Sequence, residues 1–350
     1  MISRRTFVAG VAAGIAAPAL AQHAQHDPLF SHLRNPGPVA MPPEAETQRF
    51  TYSPAPAAEN QGKWITRAPL PLPRSEMAWA TAEGDRMHII GGYGEQRVDR
   101  PYHQVYRASL DRWENAAPIP RGANHVGVIA AGNLVYAIGG FIEQNRVPHG
   151  DCFVYSVATD GWRAIHPLSR PRGAVSAVAL NGKIHIVGGR DTRSIDWHEV
   201  YDPQADTWEA RAPIPGQRDH AAGVVIEGRI HVAGGRMDTF HFNTGLHVAY
   251  DPKVDKWEER APMPTPRSGH GGVLYRGKLF TMGGEGTRRV FGQTEGYDPQ
   301  ADRWEAYAPM LTPRHGMGAA VIGDTIYVPG GGPIMGGMIQ SALHEAFTLA

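Results

Sequence analysis

Six glycine pairs recur at nearly constant spacing along this chain. They are Gly91-Gly92, Gly139-Gly140, Gly188-Gly189, Gly234-Gly235, Gly283-Gly284 and Gly330-Gly331, separated by 48, 49, 46, 49 and 47 residues. Tryptophans keep the same beat at Trp64, Trp113, Trp162, Trp208, Trp257 and Trp304, and Tyr106, Tyr155, Tyr201, Tyr250 and Tyr297 each stand seven residues before one. Trp79 and Trp197 fall off the pattern. A unit of this length cannot bury both of its faces alone, so it must stack on copies of itself.

One unit shows what is stacked. Ala222–Ile226 and Arg229–Ala233 are short β runs joined by Glu227-Gly228, a hairpin signal, and Gly234-Gly235 ends the second. Val248-Ala249-Tyr250 begins a third strand, Asp251–Asp255 turns the chain, and Lys256-Trp257-Glu258 opens a fourth. Four strands per repeat and six repeats predict an all-β fold, a six-bladed propeller with Tyr and Trp filling the wedges between blades. After the last glycine pair comes His344-Glu345-Ala346-Phe347-Thr348, with Phe347 in the tyrosine place and no tryptophan strand behind it. Lys63-Trp64-Ile65 is therefore predicted to complete the last blade from the other end of the chain, so that no edge stays open.

The residues before the repeats are of another kind. Ser3-Arg4-Arg5-Thr6-Phe7-Val8, the apolar run Val8–Leu20 and Ala19-Leu20-Ala21 resemble a twin-arginine export signal over residues 1–21. The 13 apolar residues fall short of the ~20 needed to span a bilayer, so no stable membrane insertion is expected after cleavage. The expected destination is the periplasm or the medium. Residues 22–61, with Pro28, Pro36, Pro38, Pro42, Pro43, Pro54 and Pro56, read as an extended or disordered leader carrying His23, His26 and His32. Residues 62–350 are the propeller. Lys+Arg and Asp+Glu both number 34, which offers no footprint for nucleic acid. Cys152 is the single cysteine, excluding an internal disulfide and a multi-thiolate metal site.

The glycine pairs, the Tyr-Asp-Pro turns at Tyr201, Tyr250 and Tyr297, the spaced tryptophans and the Ala-Pro-Ile/Met-Pro segments after them resemble the Kelch-repeat family from about Gly62 onward. That resemblance implies that ligands sit on the face made by the start of each first strand and by the loop after each glycine pair. Arg74, Arg121, Arg172, Arg218, Arg267 and Arg314 precede the first strands and are expected either to ring the channel mouth or to pair with acids and carbonyls inside the blades. The same face would hold Ser75, Glu76, Asn124, His125, Asp219, His220, Ser268, His270 and His315, with Tyr93, Phe141, Arg190, Arg236 and Glu285 after the glycine pairs. Guanidinium groups grip oxyanions, and histidines add donors and acid–base capacity.

Other histidines fall outside this face. His88, His185 and His231 stand where other repeats carry an aromatic, and His103, His198, His247 and His344 precede the Tyr or Phe of the third strand. The first set is expected to fill a packed aromatic place, and the second to be separate structural or loop-anchoring histidines, because third strands lie too far from the axis for its members to share a metal. No nucleophile elbow, Walker loop or HExxH motif occurs, and no cofactor or metal is expected. Three functions stay open. One is a periplasmic binding protein for a glycan, an acidic small molecule or an envelope protein. Another, implied by the resemblance, is a carbohydrate-active enzyme such as a sialic-acid mutarotase or epimerase, with Glu76, Glu285 or a histidine as acid–base group. The third is a copper-radical oxidase like galactose oxidase, for which Cys152 is the sole candidate thiol.

Overall fold

A computed structural model describes residues 55–77 and 81–349. The expected export signal, most of the leader with its three histidines, and Trp79 lie outside the described residues. Six four-stranded antiparallel sheets repeat around a common centre, and the described residues contain no α-helix. Blade 1 runs Thr81–Glu83, Arg86–Ile90, His103–Arg107, Arg112–Asn115, and blade 2 Gly127–Ala131, Leu134–Ile138, Cys152–Ser156, Gly161–Ile165. Blade 3 is Ser176–Leu180, Lys183–Val187, His198–Asp202, Thr207–Arg211, and blade 4 Ala222–Ile226, Arg229–Ala233, His247–Asp251, Lys256–Arg260. Blade 5 is Gly271–Tyr275, Lys278–Met282, Thr294–Asp298, Arg303–Tyr307. Blade 6 takes Ala320–Ile322, Thr325–Pro329 and His344–Thr348 from the end of the chain and Lys63–Thr66 from its start, with Trp64 opposite Phe347. Just before that strand, Ala57 bridges Ala306 in parallel on the outer strand of blade 5.

Two circuits of hydrogen bonds join the blades. Near the axis, the second glycine of each pair donates its amide to the next blade. Gly92 donates to Ala123, Gly140 to Arg172, Gly189 to Arg218, Gly235 to Arg267, Gly284 to Arg314 and Gly331 to Arg74, at 2.8–3.0 Å. The circuit returns to its start. It also explains the pairs: Gly139 and Gly140 sit at φ +58° and +116°, and a Cβ on Gly139 would stand 2.3 Å from the Arg172 carbonyl oxygen.

The outer circuit uses the tryptophans. Each indole Nε1 donates to a carbonyl of the preceding blade: Trp113 to Ala68, Trp162 to Ala117, Trp208 to His166, Trp257 to Ala212, Trp304 to Ala261 and Trp64 to Ala308. Tyr106, Tyr155, Tyr201, Tyr250 and Tyr297 donate their hydroxyls to Asp111, Asp160, Asp206, Asp255 and Asp302. Those aspartates accept in turn from a backbone amide of the blade before. Each such bond contributes roughly 1 kcal/mol net, and its repetition stiffens the ring.

Three histidines of the second strands each pair with one of the third, while His344 instead reaches the Ala68 carbonyl. His88 meets His103 at 2.9 Å, His185 meets His198 at 2.9 Å, and His231 meets His247 at 3.0 Å, second strand to third. Neighbouring strands of one blade bring them together, which the axis-to-strand distance did not address. His103 and His247 also reach Ala117 and Ala261 carbonyls through Nδ1, so Nδ1 carries the proton and Nε2 accepts.

The first strands enclose a cavity of about 540 Å³ walled by apolar residues including Val128, Ala179, Val225, Leu274 and Val321. None of the polar residues described next lines it.

Candidate functional site at the axial turns

Immediately before the first strands, equivalent turns bring six residues to positive φ: Glu76, His125, Ala174, His220, Gly269 and Gly316, between +46° and +61°. Their backbones link blade to blade, His125 N to Glu76 O, Ala174 to His125, His220 to Ala174, Gly269 to His220 and Gly316 to Gly269, at 2.8–3.1 Å. Glycine takes this conformation freely, whereas Glu76, His125 and His220 hold it at a cost of order 1 kcal/mol or more each. Strain retained at three polar residues out of six equivalent positions marks this end of the axis.

The charged groups there form one connected cluster. Arg236 is its centre: Nε donates to Asp219 at 3.1 Å, Nη1 to Glu285 at 2.7 Å and Nη2 to His220 Nε2 at 3.1 Å. His220 Nδ1 bonds Asp219, so this imidazole donates through Nδ1 and accepts through Nε2. Burial and the adjacent Arg236 lower the His220 pKa to about 4, keeping it neutral. Ser194 donates to the other oxygen of Asp219. Burial opposes ionisation of Asp219, but His220, Arg236 and Arg190 hold its carboxyl well below the usual range.

His315 has the opposite charge state. Its Nε2 donates to the Ile334 and Gly336 carbonyls at 2.7 and 3.1 Å, and its Nδ1 faces Glu76 at 3.3 Å and Glu285 at 3.5 Å. Burial alone would lower its pKa. The Glu285 and Glu76 carboxylates and the Ile334 carbonyl outweigh that and push it up to about 9. Glu76 also meets His125 Nε2 at 3.0 Å, while His125 Nδ1 bonds Asn124 Oδ1. Burial would raise Glu76, yet His125 and His315 hold it well below the carboxylate range. The loop of residues 332–340 covers this side, with the Gly336 amide on Glu285 at 2.8 Å. Gly316 leaves the room for Glu76 that a Cβ would take, since one built there would lie 2.7 Å from Glu76 Oε1, and Gly337 does the same for the Tyr93 ring, at 2.7 Å.

Beside the cluster, Arg190 lies over Phe141, 5.1 Å from the ring centre, and donates to Asn145 at 2.7 Å. Arg97 lies over Tyr93, 5.2 Å from its ring centre. Burial, chiefly, raises the Tyr93 phenol and keeps it protonated.

Of the expected site residues, the structure brings together Glu76, Asn124, His125, Arg190, His220, Arg236, Glu285 and His315. The arginine ring is corrected. Arg74, Arg172, Arg218, Arg267 and Arg314 are at most 2 % exposed and point into their own blades, away from any mouth. Arg172, Arg267 and Arg314 pair with Glu199, Glu295 and Glu345 on the third strands, and Arg74 donates to Gln104 at 2.8 Å and to the Gly91 carbonyl at 3.0 Å. Arg218 donates to the Pro215 and Gly216 carbonyls. The desolvation of a guanidinium is offset only by such partners, and the third strands supply them to all of the five but Arg218. Arg121 stands outside the set altogether. Ala123 takes the arginine place in blade 2, and Arg121 pairs with Asp151 near the surface at 3.0 Å. His270 is also displaced: it is fully buried towards blade 4, its Cε1 2.7 Å from where a Gly234 Cβ would be. Cys152, 1 % exposed, bonds the Gly150 carbonyl, and burial pushes its thiol up to about 12, which suits packing rather than cross-linking.

Sequence reasoning left Asp219, Tyr93 and Phe141 on the face without a role, and it missed Asn145, Ser194 and the loop of residues 332–340. The second glycine pair in that loop, Gly336-Gly337, was the available signal. Among the described residues, two groups have donor atoms close enough to share a cation: Glu76, His125 and His220, and Glu76, Glu285 and His315. In the first, Arg236 already donates to the His220 lone pair, so a guanidinium occupies the cation's place.

Comparison with known proteins adds the lineage of the fold. Residues 128–332 match the family described as the KLHDC2/KLHL20/DRC7 Kelch-repeats domain. No curated protein matches the chain. Among solved structures, one titled "Structure of YjhT" is similar, with a TM-score of 0.68 over 79% of this chain and 95% of that chain at 14% identity. At that identity the similarity is one of fold.

Proposed function

Since the chain belongs to the Kelch-repeat family of β-propellers, we propose that it is an exported binding protein that holds a small anionic or carbohydrate ligand beside the axial cluster. One observation carries this reading. Arg190 is a half-buried guanidinium whose hydrogen-bond partner is the neutral Asn145, and among the described residues no carboxylate pairs with it. Its Nε is buried without a hydrogen-bond partner. The neighbouring acid, Asp219, is already engaged by Arg236, His220 and Ser194. A partly desolvated guanidinium held over the buried Phe141 ring is suited to a carboxylate on a sugar or similar acid. The arginine pair and apolar run of residues 4–20 support the reading of export, and with it an envelope ligand.

Calorimetric titration with a panel of uronic and sialic acids tests the reading. Saturable binding that weakens with added salt and disappears in Arg190→Ala is expected, with the neutral parent sugars binding poorly. Failure of the whole panel to bind, or binding unchanged in Arg190→Ala, would sink it.

A second reading is favoured by Glu76, whose two oxygens face His125 and His315. A carboxylate between two imidazoles can relay a proton, as ring opening of an acidic sugar requires. Accelerated anomer exchange seen by NMR, lost in Glu76→Gln, would move the protein from binder to mutarotase-like enzyme.

A further inference from the structure

We infer that Glu76, Glu285 and His315 form a binding site for one divalent transition-metal ion. The three side chains come from the turns and loops of blades 1, 5 and 6, and all are at most 6 % exposed. One donor atom from each lies within 4.8 Å of the others. His315 Nδ1 stands 3.3 Å from Glu76 Oε1 and 3.5 Å from Glu285 Oε2. Those separations are long for charge-assisted hydrogen bonds, and His315 Nδ1 makes no hydrogen bond within the protein although it is wholly buried. They match the donor–donor edge of about 3.4 Å that a tetrahedral ion sets with metal–ligand bonds of ~2.0–2.2 Å.

The surroundings orient each ligand. His315 Nε2 donates to the Ile334 and Gly336 carbonyls, which fixes the ring and leaves Nδ1 as the coordinating nitrogen once its proton departs to solvent. Glu285 Oε1 accepts from Arg236, its Oε2 accepts the Gly336 amide with one lone pair and keeps the other for the ion, and Glu76 Oε2 faces His125. Second-partner hydrogen bonds of this kind are what orient metal ligands in proteins. Two carboxylates neutralise a divalent charge, and the mixed oxygen–nitrogen set suits Zn²⁺, Mn²⁺ or Fe²⁺ better than Ca²⁺ or Mg²⁺, which favour oxygen alone. The neighbouring group with His125 and His220 lacks this property, because its lone pair is taken by Arg236.

The inference is independent of the anion reading, and the ion alone serves as probe. Full-length exported protein, stripped with chelator, is titrated with Zn²⁺ by calorimetry and with Co²⁺ by visible absorption. Uptake of about one ion per chain is expected, unchanged when His23, His26 and His32 are all replaced by alanine. Affinity should fall more than ~100-fold in His315→Gln and in Glu285→Gln. Should either variant misfold, X-ray absorption on the zinc-loaded wild type decides. A shell of oxygen and nitrogen with a single imidazole supports the site, while two or more imidazoles or a sulfur overturn it. Uptake that vanishes with the leader histidines, or no uptake at all, overturns it too.

Discussion

In blades 1, 3 and 4 a histidine of the second strand hydrogen-bonds one of the third, and burial lowers every member to about 3 or 4. At the axis His315 is no less buried, yet it is pushed up to about 9. The side chain and the degree of burial are shared; the acceptors differ. Between strands each imidazole finds another neutral ring, and His103 and His247 also a carbonyl, so the proton that would charge it meets no carboxylate at hydrogen-bond distance. His315 faces two carboxylates. Burial amplifies whichever partner is present, and here it yields a neutral structural series and a charged axial cluster from one residue type.

Acidification should expose this contrast most strongly. The paired histidines have folded pKa values below the unfolded value of ~6.5, so the unfolded chain takes up protons first. Their stabilisation is complete above pH ~6.5 and is lost as pH falls towards 4, each contributing up to ~1.4 kcal/mol per pH unit. Urea denaturation at steps from pH 7 to pH 4 should show this slope. A flat profile from 6.5 to 5 would mean that the pairs already carry protons in the folded protein. His315 has the opposite sign: without bound metal its contribution is present below pH ~6.5 and is lost as pH rises through about 9.

Removing the hub of the axial cluster comes next in size. Arg236→Met leaves Asp219 and Glu285 buried without their main cation and should lower the unfolding free energy by about 3–5 kcal/mol. A loss under ~1 kcal/mol would show the cluster to be hydrated rather than internally compensated. In the outer circuit, Tyr250→Phe removes only the hydroxyl bond to Asp255 and should cost about 1 kcal/mol, read as a modest fall in melting temperature. Smallest is Arg121→Ala, at most ~0.5 kcal/mol because its pair with Asp151 is solvent-exposed on both sides. Arg172→Ala, which strips Glu199 of its buried partner, should exceed it several-fold. Equal effects would restore Arg121 to the arginine set.

Glycine pairs, tyrosines and tryptophans announced the blades because each meets a local demand: a positive φ, a wedge to fill, an indole to satisfy. The arginine series was equally visible, and its direction was not. A guanidinium at the start of the first strand can turn to the axis or into its blade, and the choice falls to Glu199, Glu295 and Glu345, which lie 27–31 residues further along the chain. Arg121 shows the same limit from the other side, since a displacement of two residues against the neighbouring repeats takes it out of register while keeping a Pro-Arg pair.

The chain's own periodicity therefore determined the fold class, the number of blades and the face on which the turn residues gather. Only the tertiary structure decided which of them meet. Glu76, His220, Arg236, Glu285 and His315 belong to four different blades, and the repeat period that puts each on this face does not say which of them will touch. Their charge states are set by distances of about 3 Å across the axis, where desolvation makes each partner count.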